Sequence, residues 1–239
     1  KTDSSYSVPD TVQIIEANAF GGYGSPMEED SYIYDKYYGG NFSLKSIIIP
    51  DSVTEIKDYA FDNCTNLSDI SLSKNIKLFG KEVFNTTKYF KNESNWDNNI
   101  LYMSNVLVAA NSNIEGDLVI RNGITVIADS AFSYKDLKSV IIPNSVINIS
   151  DSAFYFCSYL TSVTIPESVT NIGDDAFCGC RSLESITIPS SVTNIGNNAF
   201  EICRRLTNIN VKKSNVNYSS QDGVLFNKNK TELIQYPVG

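Results

Sequence analysis

There is no histidine in the chain, and its 239 residues include one tryptophan and two methionines. Histidine is the commonest general base and transition-metal ligand near neutral pH, so its absence removes most hydrolase triads and most metal centres. Ser-Lys or paired-carboxylate chemistry survives that exclusion, but no Ser-x-x-Lys stands in a supporting context and no glycine-rich phosphate loop occurs. A non-catalytic protein without metal or cofactor is expected. Positive charge is scarce too: 19 Lys and Arg face 27 Asp and Glu, giving a formal net charge of -8. That balance argues against nucleic acid and anionic lipid as partners and favours basic ones. No apolar run approaches the ~18 residues that span a bilayer, and the first residues lack the apolar core of a signal peptide. An exported protein would carry its signal and anchor outside this stretch. With only 13 Gly and 7 Pro against 42% hydrophobic residues, the composition is that of an ordered domain.

What is present is a repeat. Leu160 to Phe177 and Leu183 to Phe200 carry the same pattern in register, and Pro143, Pro166 and Pro189 recur every 23 residues. A period that short means stacked coils, because one coil cannot bury its own apolar face. Within a coil, Val163 and Ile165 alternate with Ser162 and Thr164, which is the period-2 signal of a strand. Pro166 lacks a backbone donor and ends the pairing. Val169 and Ile172 turn back inward. Asp174-Asp-Ala-Phe177 then reads as a capping acid at the start of a helix of one or two turns. Asp58, Asp129, Asp151 and Asn197 hold the same place, three residues before a Phe, and are assigned the same N-cap role rather than a metal site. The outward strand positions Ser139, Ile141, Ser162, Thr164, Ser185, Thr187, Asn208 and Asn210 are expected to form columns on one face, with Phe132, Phe154, Phe177 and Phe200 stacked inside.

The pattern Leu-x-x-Ile-x-Ile-Pro-x-Ser-Val-x-x-Ile-x-x-x-Ala-Phe-x-x-Cys resembles the BspA-like, Treponema pallidum-type leucine-rich repeats of bacterial surface proteins. It covers Val8 to Phe20, Leu44 to Phe84 and Leu118 to Val211. The resemblance implies an α/β repeat fold, a right-handed curved solenoid. Its parallel sheet would lie on the concave face, with short helices or turns opposite, and it would be displayed outside the cell.

In chain order, the coils start at Val8 and are interrupted by an insertion at 21–43 that holds Tyr23, Tyr32, Tyr34, Tyr37 and Tyr38. Coils ending at Phe61 and Phe84 follow, the second with Ser73 in the Pro position. Ile100 to Met103 and Val106 to Val108 read as a hairpin that replaces one coil within 85–117. Val224 to Phe226 and Thr231 to Tyr236 repeat that plan within 212–239. The whole of 1–239 is expected to be one solenoid domain, monomeric and a segment of a longer array, and most rigid between Phe132 and Phe200.

Cys64, Cys157, Cys180 and Cys203 lie three residues after the column Phe, and Cys178 is off register. Buried thiols packed as small hydrophobes are the favoured reading. Adventitious bridging of stacked neighbours comes second, and zinc at the lone Cys-x-Cys third.

Three function classes remain. The first is a surface protein that binds host or neighbouring-cell proteins, since solenoids present long binding surfaces. The second is a glycan-binding accessory protein and the third a passive spacer. Candidate contact residues are Tyr32, Tyr34, Tyr37 and Tyr38, with Glu28, Glu29 and Asp30 attracting a basic partner, together with Ser162, Thr164, Ser185 and Thr187 of the sheet columns. Packing of the tyrosines onto the coils at Phe20 and Phe61 is the alternative for that loop.

Overall fold

The structure is a computed structural model that describes residues 4–21 and 40–239. The chain divides into two compact units, Lys1–Ser104 and Asn105–Gly239. The first holds strands β1 (Ser5–Ser7), β2 (Ile14–Ile15), β3 (Ser46–Ile48), β4 (Glu55–Ile56), β5 (Asp69–Ser71) and β6 (Leu78–Phe79). Helix α1 (Lys88–Lys91), a short 3-10 turn (Glu93–Asn95), β7 (Trp96–Asp97) and β8 (Ile100–Met103) follow. The second holds β9 (Val106–Ala110), β10 (Glu115–Val119), β11 (Val126–Ile127), β12 (Asp136–Ile141), β13 (Asn148–Ile149), β14 (Ser162–Thr164) and β15 (Asn171–Ile172). It continues with β16 (Ser185–Ile188), β17 (Asn194–Ile195), β18 (Asn208–Val211), β19 (Tyr218–Gln221), β20 (Val224–Asn227) and β21 (Leu233–Gln235).

Each unit is a β-solenoid with two parallel sheets rather than one. In the first unit β1, β3 and β5 make one sheet and β2, β4 and β6 the other. In the second, β10, β12 and β14, then β16 and β18, line one side, while β9, β11, β13, β15 and β17 line the other. The second sheet arises where the sequence shows only Val-x-x-Ile turning inward. Two residues per coil suffice for pairing because every coil repeats them in register, as in Asn148↔Asn171 and Asn171↔Asn194.

The helices expected to start at the Asp-x-Ala-Phe segments do not form. Among the described residues α1 is the single α-helix, and it lies outside the repeat. The reason is a left-handed residue two places before each column Phe: Asn18, Tyr59, Glu82, Ser130, Ser152, Asp175 and Asn198 have φ of 51–57°. A second one follows the Phe by two places at Asn63, Tyr134, Phe156, Gly179 and Ile202. An L-residue in that region breaks the helical path, so the segment becomes a tight turn whose amides point along the stack. Phe132 N–H donates to Ala153 O at 2.8 Å, Phe154 N–H to Ala176 O at 2.8 Å and Phe177 N–H to Ala199 O at 2.9 Å. Bonds made between coils replace those a helix would make within itself.

The N-cap assignment is corrected with the helix. Asp58 Oδ1 accepts from Lys81 N–H, Asp151 Oδ1 from Asp174 N–H and Asp174 Oδ1 from Asn197 N–H, each one coil further on. Glycine makes room for these carboxylates: a Cβ on Gly173 would sit 2.3 Å from Asp151 Oδ1, and one on Gly80 would sit 2.3 Å from Asp58 Oδ1. The acid column is a ladder between coils.

The phenylalanines stack as the sequence implies. Phe20, Phe61 and Phe84 stack in the first unit at 4.7 and 4.9 Å. Phe132, Phe154, Phe177 and Phe200 stack in the second at 5.1–5.9 Å with rings within 10° of parallel. Burying one such ring contributes on the order of 3 kcal/mol, and each stacked pair about 1 kcal/mol more. The ladder thiols join the core with a polar role as well. Cys64, Cys157, Cys180 and Cys203 donate S–H to the carbonyls of Phe20, Phe132, Phe154 and Phe177, at 3.0–3.4 Å.

Of the two expected hairpins, the second is found as drawn. β20 and β21 pair antiparallel across a turn in which Asn227 Oδ1 accepts from Thr231 and Glu232 N–H. β19 adds a third strand that the sequence did not announce. At the first hairpin both strands form; β8 has β7 as an antiparallel partner, and β9 runs parallel to β11 as a solenoid strand.

Candidate functional site

The outward columns of the second unit stand in register. Asp117, Ser139 and Ser162 are aligned on β10, β12 and β14, as are Val119, Ile141 and Thr164. Ser185 and Asn208 continue the pattern on β16 and β18, with Thr187 opposite Asn210. Strand alternation explains the arrangement: Val140, Ile186 and Ile209 face the core, so the residues on either side of each must face outward. The predicted contact residues Ser162, Thr164, Ser185 and Thr187 are all exposed, and β14 and β16 lie side by side with the ladder interrupted between them. Small hydroxyl and amide side chains make this face flat and rich in donors and acceptors. Val119 at 68% and Ile141 at 54% exposure add an apolar corner, and Ser139 Oγ donates to Asp117 Oδ1 at 2.6 Å. Tyr32, Tyr34, Tyr37 and Tyr38 lie outside the described residues.

A second surface was not anticipated. The left-handed positions after each Phe swing their side chains out of the stack, and in two successive coils those residues are Tyr134 and Phe156. Tyr134 is exposed; its ring lies 5.5 Å from Tyr155 and 5.7 Å from Phe156. The Arg181 guanidinium sits 5.1 Å above the Phe156 ring. Gly179 permits this, since a Cβ there would come within 2.5 Å of that ring. Burial, with Tyr134 beside it, raises the Tyr155 phenol above its ordinary value. The signal available in the sequence was Ser-Tyr-Lys and Tyr-Phe-Cys directly after two column Phe residues, but without the left-handed geometry it does not say which side they face.

Cys178 explains its own irregularity. It lies with Asp175 and Glu201, the three ligand atoms all within 4.8 Å of one another. Burial, then the two carboxylates, push its thiol up to about 11. The Cys-x-Cys pair is not brought together as a ligand set, since Cys180 turns inward and donates to Phe154 O.

The chain matches the family model of the BspA type leucine-rich repeat region, in six copies over residues 3–92, 31–159 and 125–237. It belongs to that family. It is similar to a leucine rich cell surface protein of Faecalibacterium prausnitzii, with 27% identity over 98% of this chain and 55% of that one, at a TM-score of 0.44. The pneumococcal vaccine antigen PcpA matches at 24% identity over 98% of this chain and 46% of that one, at a TM-score of 0.45. A leucine-rich repeat protein of Bacteroides ovatus matches at 24% over 87% and 48%, at 0.36. The chain thus spans about half the length of these structures. A search of curated proteins returns no match. Among the described residues no helix is long and apolar enough to cross a membrane.

Proposed function

We propose that the chain is a non-catalytic, extracellular cell-surface protein that adheres, as a monomer, to proteins of a host or neighbouring cell. It would do so through the outward columns of the second unit, which we take as the concave face of the solenoid. The observation that carries this reading is the register of half-buried Ser139 with the exposed Ser162, Thr164, Ser185, Thr187, Asn208 and Asn210, beside Val119 and Ile141. A flat field of short polar side chains with an apolar corner has the composition of a rim around a contact centre. Its strands are rigid, so little entropy is lost on binding. Membership of a family with a solved cell-surface member supports the location.

The test is an immobilised screen of extracellular matrix proteins and glycans against the purified chain, repeated with Thr164→Lys and Thr187→Glu. Both substitutions point into solvent, so the melting temperature should hold while affinity for the captured protein falls at least tenfold. Unchanged affinity would move the site elsewhere.

A second reading, glycan binding, rests on the exposed ring of Tyr134 and the half-buried ring of Phe156 beside it, since aromatic faces grip apolar ligand surfaces. In the same screen it requires a glycan hit lost in Tyr134→Ala. For the insertion tyrosines, replacing Tyr34, Tyr37 and Tyr38 with Ala separates contact from packing: contact lowers affinity with stability intact, and packing does the reverse.

A further inference from the structure

In the second unit two strand edges face one cleft. β17 pairs with β15 on one side: Thr193 and Asn194 N–H donate to Thr170 O and Gly196 N–H to Ile172 O. Strand alternation therefore sends Ile195 N–H the other way, toward the place where the next coil would lie. There it meets a side chain, the Tyr218 hydroxyl, at 2.9 Å. The facing wall is β21, which among the described residues pairs with β20 alone. Among the described residues no strand lies against the free side of either edge. Between them is a cleft of about 510 Å³, lined by Thr193, Ile195 and Gly196 from one edge and Leu233, Ile234 and Gln235 from the other. That volume falls within the roughly 300–1,000 Å³ of ligand sites.

Two further observations say what fits. The amide ladder runs from Asn194 Nδ2 to Asn171 Oδ1 and from Asn171 Nδ2 to Asn148 Oδ1, both at 2.6 Å. It ends at Asn194, whose Oδ1 holds the place at which Asn171 and Asn148 accept. Glu232 is the one acid lining the cleft. Burial raises the Tyr218 phenol above its ordinary value, against the lowering effect of the Ile195 N–H, and Glu232 adds to the rise.

We propose that this cleft captures an extended segment of a partner polypeptide as an added strand. The segment runs parallel to β17, its main chain takes Ile195 N–H from Tyr218, an amide side chain extends the ladder at Asn194, and a basic group lies toward Glu232. Main-chain pairing supplies affinity at an open edge, and alternate side chains supply the selection. This site is separate from the outward columns and does not depend on them.

The probe is a fluorescent peptide with the sequence of residues 191–198. Its Val-Thr-Asn-Ile-Gly core is also the sequence of 169–173, which already pairs with this strand in register one coil earlier. Anisotropy should show saturable binding, lost when alternate peptide amides are N-methylated. Tyr218→Phe removes the hydroxyl that competes for Ile195 N–H, so binding should tighten about five- to tenfold. Thr164→Lys should change nothing here, which keeps failure of this site distinct from failure of the face proposed above. Absence of saturable binding, or binding indifferent to N-methylation of the peptide, would overturn the proposal; that second arm uses the unsubstituted protein and so does not depend on the folding of any variant.

Discussion

The coils from Phe132 to Phe200 and the segment from Lys212 to Gly239 solve one problem in different ways. In the coils polar groups are met one coil away, at 22 residues where Ser168 Oγ donates to Val146 O and Ser191 Oγ to Val169 O, and at 23 in the acid and amide ladders. In the segment from Lys212 single side chains take the place of the repeated contacts. Asn215, fully buried, donates from Nδ2 to both Pro189 O and Val192 O, and its Oδ1 accepts from Asn217 and Tyr218 N–H. Tyr218 covers the N–H of Ile195. Repetition distributes the load over many equal contacts, while the irregular segment concentrates it on a few. Damage in the coils should therefore scale with the size of the group removed, and damage at the end should fall on one or two residues.

The largest effect is expected from Phe154→Ala, which opens a cavity between two stacked rings and should cost about 3–5 kcal/mol in urea unfolding. Phe200→Ala, with one stacked neighbour in the column, should cost measurably less. Equal costs would remove the stack as the source of the difference. Asn215→Ala leaves two buried carbonyls without their donor and should cost about 2–3 kcal/mol. A cost below that of Asn208→Ala, on the exposed face, would refute the concentration of load at the end. Gly173→Ala drives a Cβ onto the Asp151 backbone and carboxylate and should cost about 2 kcal/mol. Combining it with Asp151→Ala should relieve only part of that cost, because the Asp151 N atom is also within 2.6 Å. In the opposite direction, Ile202, a β-branched residue at φ 58°, is strained, and Ile202→Asn should stabilise by about 1 kcal/mol.

The smallest effect at neutral pH concerns the thiols. Burial raises Cys157 and Cys203 to about 12 and Cys64 to about 11, against 9.0 for the free group. A group raised on folding gives its full stabilisation below the unfolded value and loses it as pH climbs toward the folded one, so stability should fall between pH 9 and 12. Cys157→Ala should flatten that fall relative to the parent protein, and an unchanged slope would mean the thiol is not protected by the fold.

Much of the coil was legible because it depends on periodicity. The Phe column, the inward Cys position and the outward Ser/Thr columns each repeat at one offset, and packing obliges equal offsets to lie in line. The misreading at Asp174-Asp-Ala-Phe is also physical. An acid three residues before a buried Phe is a helix-start signal, yet Asp175 and Gly179 adopt left-handed angles that only contacts with the neighbouring coils select. The two-residue strands at Asn171–Ile172 are too short to leave a local pattern and exist through their partners. The outward Tyr134 and Phe156 were missed for the same reason as the helix, because their direction is set by that turn.

Native-state hydrogen exchange resolved by residue tests the difference between the repeated coils and the irregular segment most directly. The account predicts that Phe154 N–H and Phe177 N–H, which donate to the next coil, exchange only through global unfolding, while Asn227 N–H and its neighbours in β20 and β21 exchange through a smaller, earlier opening. Equal protection in the two regions, or stronger protection at Asn227, would contradict it.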